Sequence, residues 1–219
     1  RAFESVTKTF IKDAFNLLHH LRPGSWHYYL QKTISSFEQY SHLADVEQEL
    51  QKNKKLAPAF GQDYIIKPDI IVSREPVTDQ EVNERTNIIE EKDNVAGLTP
   101  FRKVNNNSQN HILHASISCK WSLRSDRAQN IRTEAMNLIR NRKGRVPNVI
   151  AVTAEPTLTR IASLALGTGD IDCVYHFALN ELEETVHEIK DESQLDMLNI
   201  LIEGKRLRDI SDLPFDLAV

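Results

Sequence analysis

The sequence predicts an α/β fold, a central mixed β-sheet flanked by helices, in a single domain over residues 1–219. Three observations lead there. Short apolar strand-like runs alternate with helical periodicity through the second half of the chain. One run, "HILHASISCKW", alternates with the two-residue period of a strand. The 219 residues, 40% hydrophobic and 26% charged, can bury a substantial core.

The elements follow in order. "RAFESVTKTFIKDAFNLL" opens as an amphipathic helix over about 1–21, with Phe3, Val6, Phe10, Ala14 and Leu17 along one stripe. It begins without a cap or an initiator methionine, which points to residues upstream. A second helix is expected over about 36–56. In "GQDYIIKPDIIVSR" the β-branched Ile65, Ile66, Ile70, Ile71 and Val72 signal a strand, and Pro68 marks its beginning or an edge. Residues 75–111 form a long polar interval, read as an insertion or a functional loop.

The alternating run then places Leu113, Ala115, Ile117, Cys119 and Trp121 on one face. His114, Ser116, Ser118 and Lys120 take the other. A helix over 125–141 follows, with Ser125 or Asp126 as N-cap, Ala128, Ile131, Ala135 and Leu138 as its buried stripe, and Gly144 as its stop. "NVIAVTA" reads as a strand, "TLTRIASLAL" as a short helix, "GDIDCVYHF" as a strand and "ALNELEETVHEI" as a helix. Trp26, Tyr28 and Tyr29 read as packing residues, and "GTGD" at 167–170 as a turn.

Composition excludes several classes. No apolar run approaches the roughly 18 residues of a membrane span, so no membrane partner is expected. Cys119 and Cys173 both sit in apolar runs, which fits a reducing compartment and gives no disulfide framework. The eight histidines show neither HExxH nor Cys/His spacing, and the adjacent His19 and His20 diverge on a helix, so no structural zinc is expected. A net charge of −4 argues against a generic nucleic-acid binder. Yet Lys120 to Arg145 carries eight basic and two acidic residues, a local +6 against −10 for the remainder. A positive field inside an acidic chain points to a dedicated polyanion site.

Chemistry gathers around four residues: Glu4 on the first helix, Asp69 after Pro68, Lys120 ending the alternating strand, and Glu134 in the next helix. Phosphodiester hydrolysis uses carboxylates to hold Mg²⁺, which polarises the phosphate and lowers the pKa of the attacking water. A cation beside the developing charge assists. In the pattern PD…(D/E)xK an acid stands two residues before the lysine; here that position is Ser118, and Glu134 is the natural replacement. At the helix start, Arg124, Asp126 and Arg127 could enter the major groove, arginine pairing with guanine and aspartate accepting from cytosine.

Each residue also has a plainer reading. Lys120 could be a snorkelling edge residue, Asp69 a turn residue, and Arg124 and Arg127 the flanks of a solvated helix end. Glu134 could pair on the helix surface, although its i±4 neighbours Asn130 and Leu138 are not basic. A DNA-binding module without cleavage, or an α/β protein with an acidic partner, would use the same basic helix.

The stretches "PDIIVSR", Leu113 to Leu179 and "GKRLRDISDLPFDLAV" resemble type II restriction endonucleases of the PD-(D/E)xK superfamily, the group that recognises CCGG. The resemblance covers nearly the whole chain and is loose around residues 75–111. It implies a restriction-endonuclease-like fold and a Mg²⁺-dependent homotetramer, a dimer at minimum, that cuts palindromic GCCGGC in double-stranded DNA in the bacterial cytoplasm. By matching positions it implies that Asp69 and the Cys119 backbone carbonyl bind metal and that Lys120 is the catalytic lysine. Glu134 becomes the displaced acid, and Glu4 a further acid reaching metal-bound water. Arg124, Asp126 and Arg127 would read the CCGG core, and Arg160 the outer base pair. An N-terminal segment that contributes to outer-base readout in the family has no counterpart in this sequence.

Overall fold

The computed structural model describes residues 1–53, 66–90, 95–106, 109–167 and 169–219. Its centre is a six-stranded mixed sheet in sequence order: β1 (Trp26–Leu30), β2 (Ile70–Arg74), β3 (Ile112–Lys120), β4 (Asn148–Thr153), β5 (Cys173–His176) and β6 (Leu207–Asp209). β1, β2 and β3 pair antiparallel, and β3 to β6 pair parallel. The helices are α1 (Ala2–Leu17), α2 (Leu43–Lys52), α3 (Asp79–Val82), α4 (Ser125–Asn141), α5 (Leu158–Ala165), α6 (Leu179–Ile189), α7 (Glu192–Glu203) and α8 (Leu213–Leu217). The expected α/β layering is present.

Parallel strands need crossovers, and these cover one face of the sheet. Buried Ala128, Ile131 and Ala135 of α4, Ile161 and Leu164 of α5, Leu182 and Val186 of α6, and Leu198 and Leu201 of α7 pack on Val149, Ala151, Val174 and Leu207. On the opposite face α1 and α8 cover Ile70, Val72, Ala115, Ile117, Cys119, Val152 and Tyr175 through Ile11, Phe15, Leu213 and Leu217. A third cluster around Ile34, Phe37, Tyr40 and Leu43 closes over Ile71, Leu113 and Leu138.

Several local expectations change. α1 has two apolar stripes, and the sheet takes the one carrying Thr7, Ile11 and Phe15. Val6 and Leu17, expected inside, are 55% and 80% exposed. The helix expected from 36 to 56 is present only as α2, Leu43–Lys52; 3₁₀ turns at Ile34–Ser36 and Glu38–Tyr40 precede it, and residues 54–56 lie outside the described residues. Ile66 is buried but precedes β2, and Ile65 lies outside the described residues. Trp26, Tyr28 and Tyr29 do pack, but as part of β1, a strand the sequence reading does not assign. α7, β6 and α8 likewise follow where it assigns no element. α4 spans 125–141 as expected, yet its N-cap is Arg124, with no side-chain cap bond, so neither Ser125 nor Asp126 caps it. Gly144 takes φ +94°, a conformation that ends the run without strain.

The alternation in β3 breaks at its start. Val72 pairs with Ala115 and Ser73 with Leu113, so His114 is an extra residue, a β-bulge. Leu113 therefore packs with Ile71 and Leu138 on the α4 side, opposite Ala115. Trp121, expected in the buried row, lies beyond the strand and is 63% exposed.

The bulge sends the His114 ring to the α1/α8 side. There it packs against Trp26 at 4.9 Å, and its Nε2 meets the Leu217 carbonyl at 2.8 Å. Burial, aided by the charges of Arg22, Arg145 and Arg74, lowers its pKa to about 4 against the partial opposition of that hydrogen bond. Above pH 6.5 neither folded nor unfolded His114 holds the extra proton. Between 6.5 and about 4 only the unfolded chain does, so stability falls as pH falls through that window, by on the order of 3 kcal/mol. Urea unfolding across this range should show His114→Gln losing less stability than the parent; parallel slopes would refute the assignment.

Candidate functional site

The carboxyl ends of the parallel strands converge on one edge of the sheet, the usual place for a site in α/β folds. Lys120 ends β3, Thr153 ends β4 and His176 ends β5, in register. β2 runs the other way, so its first residues reach the same edge: Ile70 pairs with Ile117, and Asp69 comes beside the end of β3.

There Asp69 Oδ2 accepts from the Cys119 backbone N–H at 2.7 Å and from Lys120 Nζ at 2.7 Å. The Asp69 side chain is 12% exposed and that of Lys120 30%, so the pair lies at the bottom of a solvent-accessible edge. Both bonds fall on Oδ2, leaving Oδ1 without a partner among the described residues. An extended residue sends its N–H and C=O to the same side of the strand, so the Cys119 carbonyl projects toward Asp69. The Cys119 thiol points instead into the core beneath α1, where burial drives its pKa up.

Glu134 approaches from α4, the side shared by Ser118 and Lys120. Burial raises its pKa; the Lys120 charge opposes this and the Asp69 charge adds to it. Two carboxylates and one ammonium thus share the site, and Glu134 has no hydrogen bond or ion pair among the described residues. That donor set suits a hard divalent cation: a free Asp69 oxygen, a backbone carbonyl beside it, and a carboxylate whose charge is disfavoured as it stands.

Glu4 comes from the opposite face. Phe3 wedges edge-on between Trp121 (5.4 Å) and Phe177 (5.5 Å), which holds the first turn of α1 at the strand ends. Glu4, 17% exposed, sits there within 3.5 Å of Gln31 Nε2 and of the Arg1 amino group, and its charge is felt at Cys119.

The helix starts face the same edge. Arg124 and Asp126 are exposed at the head of α4. Arg127 is anchored by Nη1 to the Ser122 carbonyl and hydroxyl, both at 3.2 Å. Arg160, 54% exposed on α5, lies 3.5 Å from Glu155.

Glu155 is the residue the sequence reading overlooks. It is 1% exposed, accepts from Leu123 N–H at 2.7 Å and Thr157 N–H at 3.1 Å, and thereby ties the loop before α4 to the loop before α5. Burial pushes its carboxyl up, but the hydrogen bonds from Thr157 and Leu123 and the Arg160 charge bring it below its ordinary value. His176 supports the clasp: its Nδ1 accepts from Ala178 N–H, so its Nε2 carries the proton donated to the Glu155 carbonyl. The available signal was a charged residue directly after an apolar strand, the same signal that marks Lys120.

Among the described residues, the grouping with imidazole ligands, His27, Glu75 and His111, lies at the other end of the sheet and is separate from this site. No described helix is long and apolar enough to cross a membrane.

Two solved structures of the restriction endonuclease Bse634I are each 12% identical to the chain. One, a Type IIF enzyme with cognate DNA, has a TM-score of 0.43 over 86% of this chain and 74% of that one. The other has a TM-score of 0.40 over 83% and 72%. The type II restriction enzyme NgoMIV of Neisseria gonorrhoeae is 50% identical over 223 residues, which cover 100% of this chain and 77% of that protein. Residues 1–219 match the NgoMIV restriction enzyme family throughout, and the chain belongs to that family.

Proposed function

We propose that this chain, a type II restriction endonuclease by family, hydrolyses phosphodiester bonds of double-stranded DNA in a Mg²⁺-dependent reaction at a palindromic CCGG-containing site, GCCGGC in full. The observation that carries the reading is the Asp69–Lys120 contact at 2.7 Å with Glu134 in electrostatic reach. Asp69 Oδ1, the Cys119 carbonyl and Glu134 would hold the metal, and Glu4 would reach it through water. Mg²⁺ held there would supply polarisation of the scissile phosphate and a lower pKa for the attacking water.

The chain's residues do the rest. Asp69 fixes Lys120 Nζ at the strand edge, and Lys120 stabilises negative charge developing on the phosphate. Glu134 takes the position that Ser118 leaves without a carboxylate. Arg127, steadied by Ser122, and the exposed Arg124 and Asp126 read G·C pairs in the major groove, each good pair discriminating by about 1–3 kcal/mol. Arg160, joined through Glu155 to the same loop, reads the outer pair. A palindrome calls for a two-fold dimer with one half-site per subunit. The homotetramer and the GCCGGC sequence rest on the resemblance.

The direct test is digestion of plasmids with and without GCCGGC in Mg²⁺, with the ends mapped by sequencing. Cutting confined to that sequence is expected; retention of DNA without cleavage would make the chain a binding module. Lys120→Ala should lower the cleavage rate about 10²–10³-fold while specific DNA binding persists. Equal loss of both would make Lys120 a contact or packing residue. Glu134→Gln should impair cleavage yet leave the metal-free protein at least as heat-stable, because it removes a carboxylate disfavoured by burial and by Asp69. A clear drop in its melting temperature would reveal a structural role instead. Arg127→Ala should weaken binding to CCGG-containing duplex by about 1–3 kcal/mol and spare scrambled duplex. Uniform weakening across sequences in competition assays would identify a phosphate contact.

A further inference from the structure

At the far end of the sheet from Asp69, three side chains distant in sequence converge. His27 projects from the edge strand β1, Glu75 directly follows β2, and His111 directly precedes β3. Their ligand atoms all lie within 4.8 Å of one another. His27 Nε2 is 2.6 Å from Glu75 Oε1, His111 Nε2 is 3.9 Å from the same oxygen, and the two imidazole centroids are 4.4 Å apart. Tetrahedral zinc with bonds of about 2.0–2.2 Å separates neighbouring ligands by about 3.3–3.5 Å. The observed contacts bracket that spacing, so side-chain adjustments of about 1 Å complete it.

A surface His–Glu hydrogen bond needs only two partners; here a second imidazole is brought to the same carboxylate and is itself held. His111 Nδ1 lies 3.3 Å from both the Tyr29 hydroxyl and Ser73 Oγ. Those contacts hold the ring, and when Nδ1 donates to either hydroxyl oxygen Nε2 is free to ligate, the outer-sphere support that metal-binding histidines characteristically have. The three side chains remain 23–40% exposed, which leaves room for ion entry and a water ligand.

We propose that His27, Glu75 and His111 form a binding site for a transition-metal cation of the zinc class, distinct from the carboxylate site at Asp69. Two imidazoles and one carboxylate favour zinc over Mg²⁺, which prefers all-oxygen ligands. The strand β3 separates the sites by roughly 25–30 Å at about 3.3 Å per residue. The ion's role is structural: it clips the edge strand β1 to β2 and β3 and pins both ends of the polar interval 75–111. Inside that interval a Val77–Arg102 bridge and an Arg102–Asp79 pair at 2.8 Å tie the loop across itself. The sequence hides the cluster because its members are separated by 48 and 36 positions and share no short motif.

The test is Zn²⁺ and Co²⁺ titration of the metal-stripped 219-residue chain carrying Asp69→Asn, which disables the other metal site. One zinc ion per chain, a rise in melting temperature, and visible Co²⁺ bands of tetrahedral intensity are expected, none displaced by excess Mg²⁺. His27→Gln and His111→Ala, each in that background, should abolish the binding and the temperature shift. His27→Gln keeps a polar side chain on an exposed edge and so carries the decision if His111→Ala does not fold. Absence of zinc binding in the Asp69→Asn chain, or binding unchanged by His27→Gln, overturns the proposal.

Discussion

One carboxylate oxygen organises the functional edge. Asp69 Oδ2 takes the backbone proton of Cys119 and the ammonium of Lys120 together, joining the start of an antiparallel strand to the end of its neighbour. A nearly buried aspartate is tolerable only when its charge is met, and removing either partner leaves an uncompensated ion. The same contact orients the lysine, aims the Cys119 carbonyl and leaves Oδ1 open, so registry and chemistry rest on one interaction.

The rest of the edge is built around that point by layering. α1 and α8 lie under one face and the crossover helices over the other, so acids reach the strand ends from both sides: Glu4 by way of the Phe3 wedge, Glu134 from α4. Glu155 then connects the starts of α4 and α5. The four side chains proposed to read bases, Arg124, Asp126, Arg127 and Arg160, therefore stand on two helices that share one buried carboxylate. The residues proposed for recognition and for catalysis occupy the same rim because both sets depend on strand carboxyl ends and helix amino ends.

Much of this was legible in the sequence where the signal is local. Period-two alternation found β3 and the side of Lys120, and a clean stripe found α4 to the residue. Where two local patterns compete, the sequence cannot choose. α1 offers two apolar stripes, and only the sheet's shape selects Ile11 and Phe15 over Val6 and Leu17. β1 has four partly buried residues and one exposed, with no alternation to betray it, and β6 is three residues long. Within the site, Asp69 and Lys120 could be proposed from residue type and neighbours. Glu155 carries the same local mark as Lys120, a charge after an apolar strand, but its bond to Leu123 32 positions away is what makes it a clasp, and the His27–Glu75–His111 cluster owes its character wholly to partners far apart in the chain.

The bulge at His114 divides β3 into two segments of unequal tolerance to change in length. Upstream of it the strand already holds a surplus residue, so an insertion or deletion near residues 111–114 can be taken up by moving or erasing the bulge. Downstream, Ala115 to Lys120 is paired throughout with β4, and Ala115 to Ile117 with β2 as well, so one added residue would turn Lys120 to the opposite face, away from Glu134. Length variation among relatives should therefore accumulate before His114 and be absent after it, dividing a single strand into a part that can drift and a part that cannot.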